Sequence, residues 1–144
     1  MKIASFLAIS GLTALALTGA ARAQGTMPMD TPTQINGVDT VCTGVGDGAE
    51  NDPRWAGYPI RVVFSNGGAQ FLSGVHLTLS GKASATLDCA GPWVLLKLPP
   101  GGNYKVTATL LAQPGGTPRS MSFTVPSSGQ KRVEVQFPGV NANQ

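Results

Sequence analysis

The side chains best suited to chemistry in this 144-residue sequence lie between positions 47 and 58. Three carboxylates, Asp47, Glu50 and Asp52, are followed by the aromatic residues Trp55 and Tyr58. Calcium prefers six to eight oxygen ligands, but these acids do not follow the DxDxDG spacing of a calcium-binding loop. Exposed Trp and Tyr side chains can stack on a sugar or anchor a protein partner, whereas buried ones would plug the ends of a domain. The five residues form a candidate interaction surface, with a solvated loop as the simpler interpretation of the acids.

Catalysis would require a nucleophile and a general base, and the sequence contains one histidine, His76. His76 alternates with Val75 and Leu77, which places it on the polar face of a predicted strand, and its neighbours in sequence offer no second titratable group. The sequence has no GxSxG motif, so a Ser/His/Asp hydrolase is not expected. We predict no catalytic residue, no cofactor and no enzymatic activity.

Two cysteines, Cys42 and Cys89, are present. In an oxidising compartment an even pair favours one disulfide, while two free thiols and half of a metal site are the alternatives. A structural zinc site takes four ligands, and the sequence offers one histidine and no CxxC motif. We therefore predict a Cys42–Cys89 disulfide and no metal.

The N-terminal segment 1–23 is typical of a secretory signal peptide. Lys2 supplies a positive charge, an apolar run follows over 3–17, and Ala21-Arg22-Ala23 forms a small-x-small cleavage pattern. The apolar run is short for a transmembrane helix, which needs about 20 residues. We expect cleavage near Ala23, a periplasmic or secreted protein and no transmembrane segment.

The net charge also changes on cleavage. The full chain has 10 Lys+Arg and 7 Asp+Glu, and removal of Lys2 and Arg22 leaves 8 against 7, a net charge of +1. A chain that is close to neutral lacks the basic excess that drives binding to nucleic acid. Nucleic acid is therefore not an expected partner.

Beyond the N-terminal segment the hydrophobic pattern has a period of two, which is typical of strands with one buried face. The clearest cases are 60–65, 75–80, 104–110, 120–125 and 132–137, and three further strands are predicted at 38–42, 83–89 and 93–98. Clusters rich in Gly, Pro, Asn and Ser separate the strands. The sequence predicts an all-β, antiparallel sandwich of seven to eight strands.

The remaining segments complete the domain organisation. Residues 24–37 are polar and contain proline, so we expect a flexible arm before a sandwich at 38–138, and residues 139–144 form a tail. Between two apolar runs lies Pro99-Pro100-Gly101-Gly102, where proline cannot donate to a ladder and glycine can take positive φ. We interpret 99–102 as a hairpin connection.

Several ordered motifs make the sequence similar to carboxypeptidase regulatory-like domains, which are transthyretin-like (prealbumin-like) sandwiches, and in particular to small bacterial periplasmic proteins of that type. They are CTGVG at 42–46, YPIRVVFS at 58–65, FLSGV at 71–75, DCAGPW at 88–93, and LPPG at 98–101 before a Tyr-x-Val strand. The resemblance implies a sandwich in the cell envelope that serves as an accessory or binding module. The hydrolase of this fold uses more than one histidine and a Tyr-Arg-Gly-Ser ending, and neither is present here.

The sequence thus favours a non-catalytic, extracytoplasmic module that contacts another envelope protein or a glycan, as a monomer or an edge-paired dimer. A module for carbohydrate or another small ligand is the main alternative, and it requires Trp55 and Tyr58 to be exposed on one side. A transthyretin-like hydrolase is the least favoured.

Overall fold

A computed structural model describes residues 26–141. The chain forms nine strands: β1 Thr33–Ile35, β2 Val38–Thr43, β3 Ile60–Ser65, β4 Val75–Gly81, β5 Ala85–Cys89, β6 Trp93–Lys97, β7 Asn103–Leu110, β8 Arg119–Thr124 and β9 Lys131–Gln136. Two short 3-10 helices, Ala49–Asn51 and Pro53–Trp55, lie between β2 and β3. The predicted signal peptide at 1–23 lies outside the described residues.

The strands form two sheets that pack face to face. The first sheet has the order β1-β2-β6-β3-β9, and the second has the order β5-β4-β7-β8. Neighbouring strands are antiparallel except β3 and β9, which are parallel and pair Ile60 with Lys131 through Ser65 with Gln136. The predicted all-β sandwich is confirmed, with one parallel pair within it.

The core forms where the inward faces of the two sheets meet. Alternate residues supply it, as the period-two pattern predicts, and its largest fully buried side chains include Ile60, Phe64, Leu77, Leu79 and Leu96. The Cys42–Cys89 disulfide joins β2 of the first sheet to β5 of the second. This disulfide confirms the predicted pairing.

Part of the segment predicted as a flexible arm, 24–37, joins the sandwich, from Met27 onward. Met27 is buried in the core, and its backbone N–H donates to the Asp88 carbonyl at 2.9 Å. β1 pairs with β2 through a two-residue turn at Asn36 and Gly37, whose φ angles are +50° and +80°. Asn-Gly with two positive φ values is the typical sequence of a tight hairpin, so the sandwich begins before position 38.

The interpretation of 99–102 as a hairpin is wrong. β6 lies in the first sheet and β7 in the second, so the turn carries the chain from one sheet to the other. Gly101 takes a φ of +82°, and its N–H donates to the Val125 carbonyl at 2.9 Å. A Cβ at Gly102 would lie 2.6 Å from the Tyr104 ring, so glycine here permits close packing at the crossing.

Candidate functional site

The segment 44–58, which contains all five candidate residues, folds over the outer face of the first sheet. Trp55 and Tyr58 are only 4% and 8% exposed and form a second apolar cluster with Val41 and Leu95. Their rings meet edge to face, with centroids 6.1 Å apart. The exposure of both aromatics that the carbohydrate alternative requires is therefore not met, because the central strands β2 and β6 present apolar side chains on their outer face as well and the aromatics cover them.

Asp52 fixes the local turn that places Trp55. Its carboxylate accepts from the Arg54 backbone N–H at 3.0 Å, which caps the 3-10 helix Pro53–Trp55. The same carboxylate accepts from the Arg54 guanidinium at 2.6 to 3.1 Å. These hydrogen bonds from Arg54 lower the pKa of Asp52, and the bond to Asp52 raises the pKa of Arg54. Asp52 therefore serves the conformation of the loop.

Gln130, just before β9, holds the end of the segment against the sandwich. Its side-chain amide donates to the Tyr58 carbonyl at 2.9 Å and to the Trp55 carbonyl at 3.2 Å. The Lys131 backbone N–H donates to the Pro59 carbonyl at 2.7 Å. These bonds hold the loop between β2 and β3 against the start of β9. The local sequence pattern does not predict this contact.

Cationic side chains lie over the aromatic rings of this face. The Arg54 guanidinium carbon is 4.5 Å from the Trp55 centroid, and that of Arg61 is 4.6 Å from the Trp93 centroid. Arg61 also donates through Nη2 to the Glu50 carbonyl at 3.4 Å. The apolar ring faces are therefore occupied by the protein's own charges, which removes them as stacking surfaces for a sugar.

A cleft of about 300 Å³ opens beside this cluster, between the 50–56 segment, Arg61 and Gln130. Among the described residues, three buried donors meet no acceptor, and two of them, Trp55 Nε1 and Arg61 Nε, belong to residues that line this cleft. An unpaired buried donor costs about 1–3 kcal/mol. The third is Trp93 Nε1.

The acidic candidates take separate positions. Asp47 and Glu50 are exposed, while Asp52 is bound to Arg54. Within residues 26–141 no group of three His, Cys, Asp or Glu side chains is placed to hold a metal ion. The start of the segment also exposes an apolar side chain, Val45, at 64%. The structure thus adds Arg61, Gln130 and Val45 to the predicted surface.

His76 has a titratable partner, contrary to the expectation from its sequence neighbours. Asp88 is its direct cross-strand partner on β5, and Asp88 Oδ1 lies 2.5 Å from His76 Nδ1. The pair lies on the outer face of the second sheet, and both side chains are partly exposed. Only the strand register brings the two residues together, so the local sequence gave no signal for it.

Comparison of the chain with protein-family models, with curated proteins and with solved structures returned no match. The similarity to transthyretin-like domains therefore remains an expectation based on the sequence motifs. Across 26–141, no helix has the length and apolar character needed to cross a membrane.

Proposed function

We propose that this protein is a non-catalytic, extracytoplasmic β-sandwich module that binds another protein of the cell envelope through the 44–58 segment. Extracytoplasmic placement is supported by the signal-peptide pattern of residues 1–23 and by the disulfide, since such bonds persist in oxidising compartments. The carboxypeptidase regulatory-like resemblance supports the same placement.

The observation that supports a binding role is the cleft beside Trp55. Its lining includes the exposed side chains of Glu50, which offers acceptors, and Asn51, whose amide offers both an acceptor and donors. Donors and acceptors side by side match a main-chain amide, which supplies one C=O and one N–H. The exposed Val45 adds an apolar contact on the same segment.

A protein partner is favoured over a glycan for a specific reason. Glycan binding on the predicted surface needs open aromatic rings, and Trp55 and Tyr58 are buried beneath Arg54 and Lys97, whose charged groups lie 4.5 Å and 5.4 Å from the ring centroids. The cleft and the exposed side chains of the 44–58 segment, such as Val45 and Glu50, remain as the contact surface. No catalytic residue, cofactor or metal is assigned in this proposal.

The test is site-specific photo-crosslinking in intact cells. A photoreactive amino acid replaces Asn51 at the cleft in one strain, and Lys82 on the turn between β4 and β5 of the second sheet in another; both positions are exposed. We expect one reproducible protein adduct from position 51 and none of that mass from position 82. Glu50→Lys, at an exposed position, should weaken the adduct, and Lys82→Glu should leave it unchanged.

The same adducts from both positions would refute the proposed surface. So would no adduct from position 51 in a protein that is abundant and folded. Alkylation before and after reduction checks the disulfide, and the far-UV circular dichroism of the purified protein checks folding.

A further inference from the structure

The sandwich has two open edges, one where β1 lies near β5 and one where β9 lies near β8, and different contacts join the sheets at each. On one side the Cys42–Cys89 disulfide, the Met27–Asp88 backbone bond and the Asn36 side chain, which donates to the Ser84 carbonyl at 2.8 Å, join the sheets. On the other side the edge strands β8 and β9 run alongside each other, and the Arg119 side chain donates to the Gln136 carbonyl at 2.9 Å. We call this second side, residues 119–124 and 131–136, the β8–β9 seam.

The seam exposes a core-facing position. Met121 is the cross-strand partner of Val106, and directly paired residues point to the same face of a sheet. Val106 is fully buried, yet Met121 is 42% exposed. The core-facing side of β8 is therefore uncovered at Met121, although Phe123 on the same strand is buried, and a further strand beside β8 would cover Met121.

Concave surface runs along the seam. A cleft of about 330 Å³ between Arg119–Met121 and Glu134–Gln136 lies at its middle, and others of about 540 and 330 Å³ lie towards the Lys131 and Phe137 ends. In the described chain β8 pairs with β7 alone, so one row of its backbone N–H and C=O groups is free. Six residues of strand extend about 20 Å, the length of a short extended peptide.

The charge of the seam selects the kind of partner. Arg119 and Lys131 are exposed along it, and the strands carry one further exposed cation, Arg132, and one acid, Glu134. The Arg132 guanidinium carbon lies 5.8 Å from the Phe71 centroid, so Arg119 and Lys131 are the cations of the seam. Glu134 already accepts from the Ser65 hydroxyl at 2.8 Å and lies 3.8 Å from Arg132. An excess of cations attracts an acidic segment, and it disfavours a second copy of the same seam because like charges would meet.

We propose that the β8–β9 seam binds an extended acidic segment of a partner protein, which adds a strand to β8 and covers Met121. Backbone hydrogen bonds to β8 would hold the segment, and Arg119 and Lys131 would select for acidic side chains. The seam shares no residue with the 44–58 segment, so the two surfaces can be tested separately.

The test uses a fluorescein-labelled, acetylated hexapeptide of alternating Glu and Val, measured by fluorescence anisotropy against the disulfide-bonded protein. A hexapeptide of alternating Lys and Val is the charge control. We expect saturable binding of the Glu peptide, weakened by salt, and no comparable binding of the Lys peptide. Arg119→Glu combined with Lys131→Glu should weaken binding roughly tenfold or more, because two attractions become repulsions.

Lys82→Glu makes the same charge change away from the seam and should alter affinity less than about twofold. Lys131→Glu alone is the second variant, since the Arg119 change also removes the bond to Gln136. Equal binding of both peptides, binding that the Arg119 and Lys131 variants do not change, or no saturable binding at millimolar peptide would overturn the proposal. A dimer in sedimentation velocity that Met121→Lys abolishes would also overturn it, because the seam would then belong to a second copy.

Discussion

Replacement of Trp55 tests whether this residue stabilises the 44–58 segment or contacts a partner directly. Trp55 lies beneath the Arg54 guanidinium and packs in a cluster with Val41, Tyr58 and Leu95. Trp55→Ala should therefore loosen the 44–58 segment from the sheet. A loss of partner binding in this variant would report the loosened loop and not a lost contact.

The size of the effect follows from two opposing contributions. A buried tryptophan removes about 200 Å² from water, and at about 25 cal/mol per Å² this stabilises the fold by about 5 kcal/mol. Its buried Nε1 meets no acceptor among the described residues, which offsets about 2 kcal/mol. We expect Trp55→Ala to lower the free energy of unfolding by about 3 kcal/mol.

Trp55→Phe is the matched variant. This variant keeps an aromatic ring in the cluster but buries less apolar area, which lowers stability. It also removes the unpaired buried N–H, which raises stability by a similar amount. We expect a change within about 1 kcal/mol of the parent.

Urea denaturation of the disulfide-bonded proteins, followed by far-UV circular dichroism, measures both differences. Amide exchange then localises the effect, because the Tyr58 N–H donates to the Trp55 carbonyl at 3.2 Å and should exchange faster in Trp55→Ala. If Trp55→Ala lowers the free energy of unfolding by less than about 1 kcal/mol, as substitution of an exposed residue does, Trp55 is not packed in this cluster. A Trp55→Phe variant as unstable as Trp55→Ala would refute the cost assigned to the unpaired N–H.

Three further predictions concern the disulfide, Tyr58 and Gly44. Replacing Cys42 and Cys89, which are 47 positions apart, by alanine should lower the free energy of unfolding by about 4 kcal/mol in urea titrations, since the crosslink restricts the unfolded chain; a loss under about 1 kcal/mol would contradict this. Burial, and then the charge of Asp39, raises the pKa of Tyr58 above its ordinary 10.0, so the folded chain retains a proton that the unfolded chain releases. Stability should therefore fall as the pH rises above about 10, and fall less in Tyr58→Phe; identical pH profiles would exclude a shifted Tyr58. Gly44 has a φ of +103°, and a Cβ there would lie 2.7 Å from Trp93 Cγ. In urea titrations Gly44→Ala should therefore lower the free energy of unfolding by about 2 kcal/mol or more. Gly48, with open space around it, is the control, and Gly48→Ala should change stability by less than about 0.5 kcal/mol.

The strands were predictable because alternation is a local property. The eight predicted segments each coincide with a strand, and their inward residues form the core. β1 was missed because three residues show too little alternation, although the Asn36-Gly37 turn beside it was a usable signal. The pairing of β3 with β9 is a property of the whole chain, which no local pattern encodes.

The sequence analysis left the burial of Trp55 and Tyr58 open, although the sequence contains a signal for it. The stretch Trp93-Val94-Leu95-Leu96 interrupts the alternation of polar and apolar residues, which indicates a strand buried on both faces. That pattern could have predicted a cover over the outer face, and Trp55 and Tyr58 are part of that cover. The roles of Gln130 and of the His76–Asp88 pair depend on contacts across 72 and 12 positions, so the sequence held no local sign of them.

The parallel pairing of β3 with β9 has a consequence for how the chain is made. Until residues 131–136 emerge, β3 can pair on one side only, with β6, and the backbone groups of its other edge are open to other extended chains. Both cysteines precede β9 in the sequence, so the crosslink between the sheets can form while that edge is still open. If the crosslink forms first, β9 docks onto an oxidised sandwich, and the open edge of β3 is available to other chains until it does.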